Sequence, residues 1–259
     1  MNLIDKIFSQ KVKDFLSIFF TAGYPKLEST KRIIRILQKY CIDIIEVGVP
    51  YSDALADGTI IQKSSKKSLA NGMKIDKLFS QLQCIKKELY IPLIFMGYYN
   101  SFLRFGEESF LRKCRQIGIS GLILPDLPIS IYRSNYQERF KQNGIYFIFL
   151  VTTHTPIERI FKLSSISEGF LYLVSSTSTT GKNVFFDKKK DEFFSCLKSK
   201  IKLKLPRLIG FGISNKETFR WSCSYSDGAI IGSSFIRSID EYDIEESIQR
   251  FLQLIEGNR

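Results

Sequence analysis

The sequence predicts an α/β fold, a (β/α)8 barrel of the TIM type with an extra N-terminal helix, in a single domain over residues 1–259. Three observations lead there. Short apolar runs rich in β-branched and aromatic residues alternate with amphipathic segments of helical period, the pattern of βα units on a parallel sheet. Eight such runs occur, and eight favour closure into a barrel over an open doubly wound sheet. The chain has 259 residues with no composition break and no long linker, and such barrels run to about 250 residues as one unit.

The elements follow in order. Residues 1–13 read as an amphipathic helix with Leu3, Ile4, Ile7 and Phe8 on one side. Residues 15–20 are the first strand, ended by Thr21-Ala22-Gly23-Tyr24-Pro25. Residues 28–40 are a helix with Ile33, Ile34, Ile36 and Leu37 inward. The second strand opens at Ile42 and is stopped by Gly48 and Pro50. Helices follow at 59–70, stopped by Asn71-Gly72, and at 75–89. Strand three is 92–96, with Gly97-Tyr98-Tyr99-Asn100 as its exit and 100–106 as a loop. A helix at 107–117 stops at Gly118, strand four is 121–124, and a helix at 132–142 stops at Asn143-Gly144. Strand five is 145–151, then a helix at 157–164 and strand six at 170–174. A polar loop spans 175–183 and a helix 188–199. Strand seven is 207–210 and strand eight 229–231, with a helix at about 216–221 between them. A short turn at 233–236 and a helix at 244–255 close the chain.

Composition narrows the class. Hydrophobic residues make up 44% and charged residues 25%, enough apolar content for a sizeable core. No apolar run reaches the roughly 20 residues of a membrane span, and MNLIDKIFSQKVKDF does not read as a secretion signal. The five cysteines, Cys41, Cys84, Cys114, Cys196 and Cys223, are scattered and lack a CxxC pair. They read as reduced and cytoplasmic, neither disulfide-bonded nor metal-binding. The net charge of +12 comes from lysines spread along the chain, in a composition heavy in residues with AT-rich codons. It is therefore read as a composition effect, with no nucleic-acid and no membrane partner expected.

The chemistry concentrates in IDIIEVGVPYSDALADG, residues 42–58. Glu46 sits inside an apolar strand, where ionising a carboxyl is costly and packing gives it no reason to be. Asp57 lies on the loop just beyond and can face the same cavity. Two carboxyl groups in different environments have their pKa values pushed apart, which suits one to proton transfer and the other to charge stabilisation. The alternative is a structural Glu46 tied to a backbone amide, with Asp57 a turn residue. Gly210-Phe211-Gly212 and Gly232-Ser233-Ser234 leave the last two strands, where barrels often hold phosphate. The loop at 175–183 could close over a ligand, with Gly181 as hinge. The single histidine, His154, argues against multi-histidine metal sites and a serine triad, and reads as a loop residue.

These blocks carry a resemblance. IIEVGVPYSDALADG, with FFTAGYP, MGYYN, LILPDLP, YLVSSTSTTG, GFGIS and GSSF in order, resembles the tryptophan synthase alpha chain family nearly end to end. The resemblance implies retro-aldol cleavage of indole-3-glycerol phosphate to indole and glyceraldehyde 3-phosphate, a lyase reaction of tryptophan biosynthesis without cofactor or metal. It implies Glu46 as general acid/base and Asp57 as the carboxylate that meets the indole N–H. It further implies a pocket of Phe19, Tyr98, Ile123, Tyr172 and Thr180, and a phosphate cradle of Gly181, Phe211, Gly212, Gly232 and Ser233. The implied partner is the beta chain, a pyridoxal-phosphate enzyme, in an α2β2 heterotetramer, docking near Asp53 and Asn100.

The sequence departs from the family pattern at Ser178, where a glycine is usual, at Ser176, where an arginine is frequent, and at Ala54, where a proline is common. The serines bear on loop closure; Ala54 is expected to loosen the docking loop. Competing readings are a related phosphate-binding barrel acting on an indole or anthranilate sugar phosphate, an activator of the beta chain with weak catalysis of its own, and a basic nucleic-acid-binding barrel.

Overall fold

The structure, a computed structural model, describes residues 1–40, 42–175, 188–199 and 204–256. Its strands are β1 (Phe15–Thr21), β2 (Ile44–Gly48), β3 (Leu93–Met96), β4 (Gly121–Ile123), β5 (Tyr146–Phe147), β6 (Leu150–Thr152), β7 (Leu171–Val174), β8 (Arg207–Gly210) and β9 (Gly228–Ile231). All pairings are parallel, in the order β5-β4-β3-β2-β1-β9-β8-β7-β6.

The two ends of that order are pieces of one barrel strand. The β4–β5 ladder is short, pairing Gly121 with Tyr146 and Leu122 with Phe147. The Ile148 amide still donates to Leu122 O at 3.0 Å, and Phe149 O accepts the Tyr172 amide at 3.0 Å. One segment therefore bonds to β4 at its start and β7 at its end, which closes the ring. The strand expected at 145–151 is split for this reason.

Alternation along each strand sorts the core into two clusters. Ile44, Ile94, Ile123, Tyr172, Leu208 and Ile230 form one inside the barrel. Their neighbours Ile45, Val47, Phe95, Leu122, Leu173 and Ile209 belong to a larger one between strands and helices.

The N-terminal helix, Leu3–Gln10, is shorter than expected and covers the barrel's N-terminal end. Asn2 caps it by accepting the Ile4 amide at 2.9 Å. Its own amide group donates to Ser120 O at 2.8 Å and Gly144 O at 3.0 Å, just before β4 and β5. Ile4 is fully buried in the inner cluster, with Ile7 and Phe8 packed against it. The opposite end is left for loops and chemistry.

Three expectations are corrected. Residues 100–106 are not a loop: Tyr99–Phe105 is a helix ended by Gly106 at φ +91°. The Asp126 carboxylate starts it by accepting the Tyr99 amide at 2.8 Å. The turn at 233–236 is the helix Ser233–Ser238, and the helix at 216–221 runs from Lys216 to Tyr225 behind an Asn215/Thr218 capping box. Among the described residues, no helix is long and apolar enough to cross a membrane.

Candidate active site

Glu46 lies on β2, next to Phe19 in the β1–β2 register, and is fully buried. Alternation puts it on the inward face with Ile44. Ser17 Oγ donates to Glu46 Oε1 at 2.7 Å, while Oε2 meets no protein partner among the described residues. Burial pushes the carboxyl up from 4.5 to about 7, with the Ser17 bond opposing. The backbone-amide tie considered for a structural glutamate is not what holds Oε1.

Asp57 lies on the loop after β2 and is also buried. Burial raises its carboxyl from 3.8 to about 6, and the bond from Tyr98 opposes. Tyr98 Oη donates to Asp57 Oδ2 at 3.2 Å and accepts the Ala56 amide at 3.0 Å. The Tyr51 ring stacks on Tyr98, centroids 4.9 Å apart at 25°. Ala54 O accepts the Asp57 amide and Gln62 Nε2, each at 3.1 Å, so the loop is tied at Ala54 to Asp57 and to the helix Thr59–Ala70.

A cavity opens here, lined by Phe19, Thr21, Gly48, Val49, Asp57, Ile61, Ser65, Met96, Gly97, Tyr98 and Pro125. Of the residues expected in a pocket, Phe19 and Tyr98 stand on its wall. Ile123 and Tyr172 are buried in the inner barrel cluster. Glu46 is fully buried on β2, beside the wall residue Phe19 in the strand register. The Tyr172 phenol is pushed well above its usual value, first by burial and then by the charges of Glu46 and Asp57, so all three lie within electrostatic reach. Thr21, Ile61, Ser65, Met96 and Pro125 were not foreseen. Thr21 and Met96 could have been found as the last residues of strands, and Ile61 and Ser65 as an i, i+4 pair on the helix Thr59–Ala70.

Two glycines make the arrangement fit. A Cβ on Gly48 would lie 2.6 Å from the Phe19 ring, so Phe19 lies across that position only because it is bare. A Cβ on Gly210 would come within 2.6 Å of Tyr172 ring carbons.

Four of the residues expected at a phosphate, Phe211, Gly212, Gly232 and Ser233, lie just past the ends of β8 and β9. Phe211 and Gly212 have φ of +74° and +81°, a left-handed pair that turns the backbone sharply. Ser175 Oγ donates to Gly210 O at 2.9 Å or Phe211 O at 2.6 Å. Ser234 Oγ donates to Ile213 O at 2.7 Å and ties this loop to the segment Gly232-Ser233 that opens the helix Ser233–Ser238. Thr180 and Gly181, with Ser176 and Ser178, lie outside the described residues.

Asp53 and Asn100 are both exposed on the same end of the barrel. Ser52 Oγ donates to Asp53 Oδ2 at 2.9 Å, and Asn100 Nδ2 donates to Tyr51 Oη at 2.9 Å. His154 is exposed in the turn after β6. Among the described residues, no group of three or more His, Cys, Asp or Glu is placed to hold a metal.

The family profile "Tryptophan synthase alpha chain" matches residues 6–258. The chain belongs to the tryptophan synthase alpha chain family. It is 48% identical over 255 residues to the tryptophan synthase alpha chain of Karelsulcia muelleri (strain GWSS), covering 98% of this chain and 99% of that one. It is 49% identical over 246 residues to that of Flavobacterium psychrophilum, covering 95% and 96%. The solved tryptophan synthase subunit alpha of Legionella pneumophila str. Paris superposes with a TM-score of 0.86 at 28% identity, over 98% of this chain and 97% of that one. A tryptophan synthase alpha chain is a carbon–carbon lyase of tryptophan biosynthesis, cleaving indole-3-glycerol phosphate to indole and glyceraldehyde 3-phosphate.

Proposed function

We propose that Glu46 and Asp57 carry the alpha reaction, Glu46 as general acid/base and Asp57 as the carboxylate that stabilises positive charge on the indole. The observation that supports this most is the burial of both groups at one end of β2, with carboxyl pKa values raised to about 7 and about 6. A group near 7 holds and releases a proton at neutral pH, as an acid/base must. A group near 6 is mostly ionised there, as an electrostatic partner must be.

The reaction then runs as two proton transfers at one carboxyl. Protonated Glu46 delivers its proton to the indole carbon that bears the glycerol chain. The positive charge that develops spreads to the ring nitrogen, whose N–H faces Asp57. Glu46, now a carboxylate, takes the proton of the adjacent glycerol hydroxyl. The carbon–carbon bond breaks, its electron pair returns to the indole ring, and the former hydroxyl carbon leaves as the aldehyde. Glu46 ends protonated, so no proton is gained or lost overall.

Phe19, Tyr98, Ile123, Tyr172 and Thr180 form the indole side of the pocket in this reading, and Gly181, Phe211, Gly212, Gly232 and Ser233 hold the phosphate. Asp53 and Asn100 contact a beta chain in an α2β2 assembly, and the setting is the cytoplasm. The pairing of the two exposed residues with the loop that carries Asp57 supports this assignment.

The experiment is indole release from indole-3-glycerol phosphate by the purified chain, with and without the beta chain, for wild type and Glu46→Gln. Release that rises with the beta chain and disappears in Glu46→Gln is the expected result. Cleavage that survives Glu46→Gln overturns the acid/base assignment. Release indifferent to the beta chain overturns the coupling.

A further inference from the structure

We infer that Ser17 is the positioning residue for Glu46, tying Oε1 so that Oε2 is the oxygen that carries the proton. This rests on the reading of Glu46 as the acid/base. The argument begins in β1, FLSIFFT, where every other residue before Thr21 is a large apolar one. Ser17 is fully buried in that run, and a buried hydroxyl without a partner is costly. Packing alone calls for another large side chain at this position.

Register supplies the partner. β1 and β2 run parallel, with Ser17 opposite Ile44 and Phe19 opposite Glu46. Ser17, Phe19, Ile44 and Glu46 share one face of the pair, and Ser17 stands diagonally one step before Glu46. From there Ser17 Oγ reaches Glu46 Oε1 at 2.7 Å, a good O–H···O hydrogen-bond distance. A serine hydroxyl has one proton to donate, and here it goes to Oε1.

Two consequences follow. The carboxyl plane is fixed by a bond at one end, so Glu46 does not have to be oriented by the substrate. The two oxygens also become unequal. Oε1 shares its lone pair with Ser17 and is the poorer base, while Oε2 has no bond to any described residue and keeps its full basicity. A buried polar atom left without a partner calls for an explanation; in this reading it is the working atom.

The test is kcat and KM for indole release from indole-3-glycerol phosphate as a function of pH, in the complex with the beta chain, for wild type, Ser17→Ala, Ser17→Thr and Glu46→Gln. Ser17→Ala is expected to lower kcat about tenfold with KM little changed. It is also expected to move the alkaline limb of the kcat profile upward, because the lost donor had favoured the ionised carboxyl. Ser17→Thr keeps a hydroxyl at the same place and is expected to restore both the rate and the limb. A Ser17→Ala profile that matches wild type, or one that falls at every pH with its limb unmoved, overturns the inference while leaving Glu46 in its role. Full cleavage by Glu46→Gln overturns the underlying reading instead, and the two failures are distinct. Thermal unfolding of Ser17→Ala separates a misfolded variant from a mispositioned carboxyl. If it is destabilised, Ser17→Cys, which fills the same space with a weak donor, must give an intermediate limb position or the inference falls.

Discussion

Tyr98 Oη stands 3.2 Å from Asp57 Oδ2 and 3.0 Å from the Ala56 amide, so one phenol holds both the carboxylate and the backbone of the loop that carries it. Tyr98→Phe keeps the ring and its stack on Tyr51 and removes only the oxygen. Asp57 then loses the bond that had opposed its rise, and its carboxyl moves further above about 6. The acid limb of the pH–kcat/KM profile is expected to move upward, with a fall of about tenfold in kcat/KM at neutral pH. An unmoved acid limb assigns that limb to a group other than Asp57.

Glu46 links stability to pH. Its carboxyl titrates at about 7 when folded against 4.5 ordinarily, so the folded state binds the proton more tightly. That contribution is fully present below 4.5 and is lost as pH rises through about 7. The interval is worth at most on the order of 3 kcal/mol. Glu46→Gln stays neutral at every pH. Relative to wild type, the variant is expected to gain stability steadily from pH 5 to about pH 7 and to level off above that, read by urea unfolding at several pH values. A pH-independent difference between the two chains sinks the idea that Glu46 is held in a charge-hostile site.

The division between what the sequence reveals and what it hides follows the range of the forces. The helices Thr59–Ala70, Glu107–Ile117 and Lys188–Ser199 stand where local period and stop residues put them; Gly118, at φ +92°, ends the second. The helix Tyr99–Phe105 was hidden because its first amide is held by Asp126 on another loop. The split of the fifth barrel strand was hidden because it depends on where β4 ends and β7 begins. Glu46 and Asp57 were legible, since a carboxylate in an apolar run advertises its own cost. Ser17 was not: a lone serine in a strand has no signature until the register sets it beside Glu46.

Gly210 tests how tightly Tyr172 is packed. Both are buried, and an added methyl at Gly210 would meet Tyr172 ring carbons at 2.6 Å. The buried ring would have to shift, so Gly210→Ala is expected to cost about 1–3 kcal/mol of stability. Gly58→Ala is the control. It adds the same methyl where nothing lies within 4 Å, at a helix start with φ of −70°. Its expected cost is below about 1 kcal/mol. Equal losses in thermal unfolding for the two variants contradict the packing described for Tyr172.

The last prediction concerns Gly232. Ser234 ties its segment to the Phe211-Gly212 turn through Ile213 O, so the backbone amides of both loops are held in one place. Gly232→Glu brings a carboxylate into that place, where it repels a phosphate and competes for the same amides. KM for indole-3-glycerol phosphate is expected to rise more than about tenfold, and inhibition by glyceraldehyde 3-phosphate to weaken in parallel. Charge and bulk separate through Gly232→Ala, whose methyl would stand 3.2 Å from Phe19 Cδ1 and press on the indole side of the pocket instead. That variant should raise KM less and leave inhibition by inorganic phosphate unchanged. If Gly232→Glu binds inorganic phosphate as wild type does, the phosphate is held elsewhere on the barrel rim.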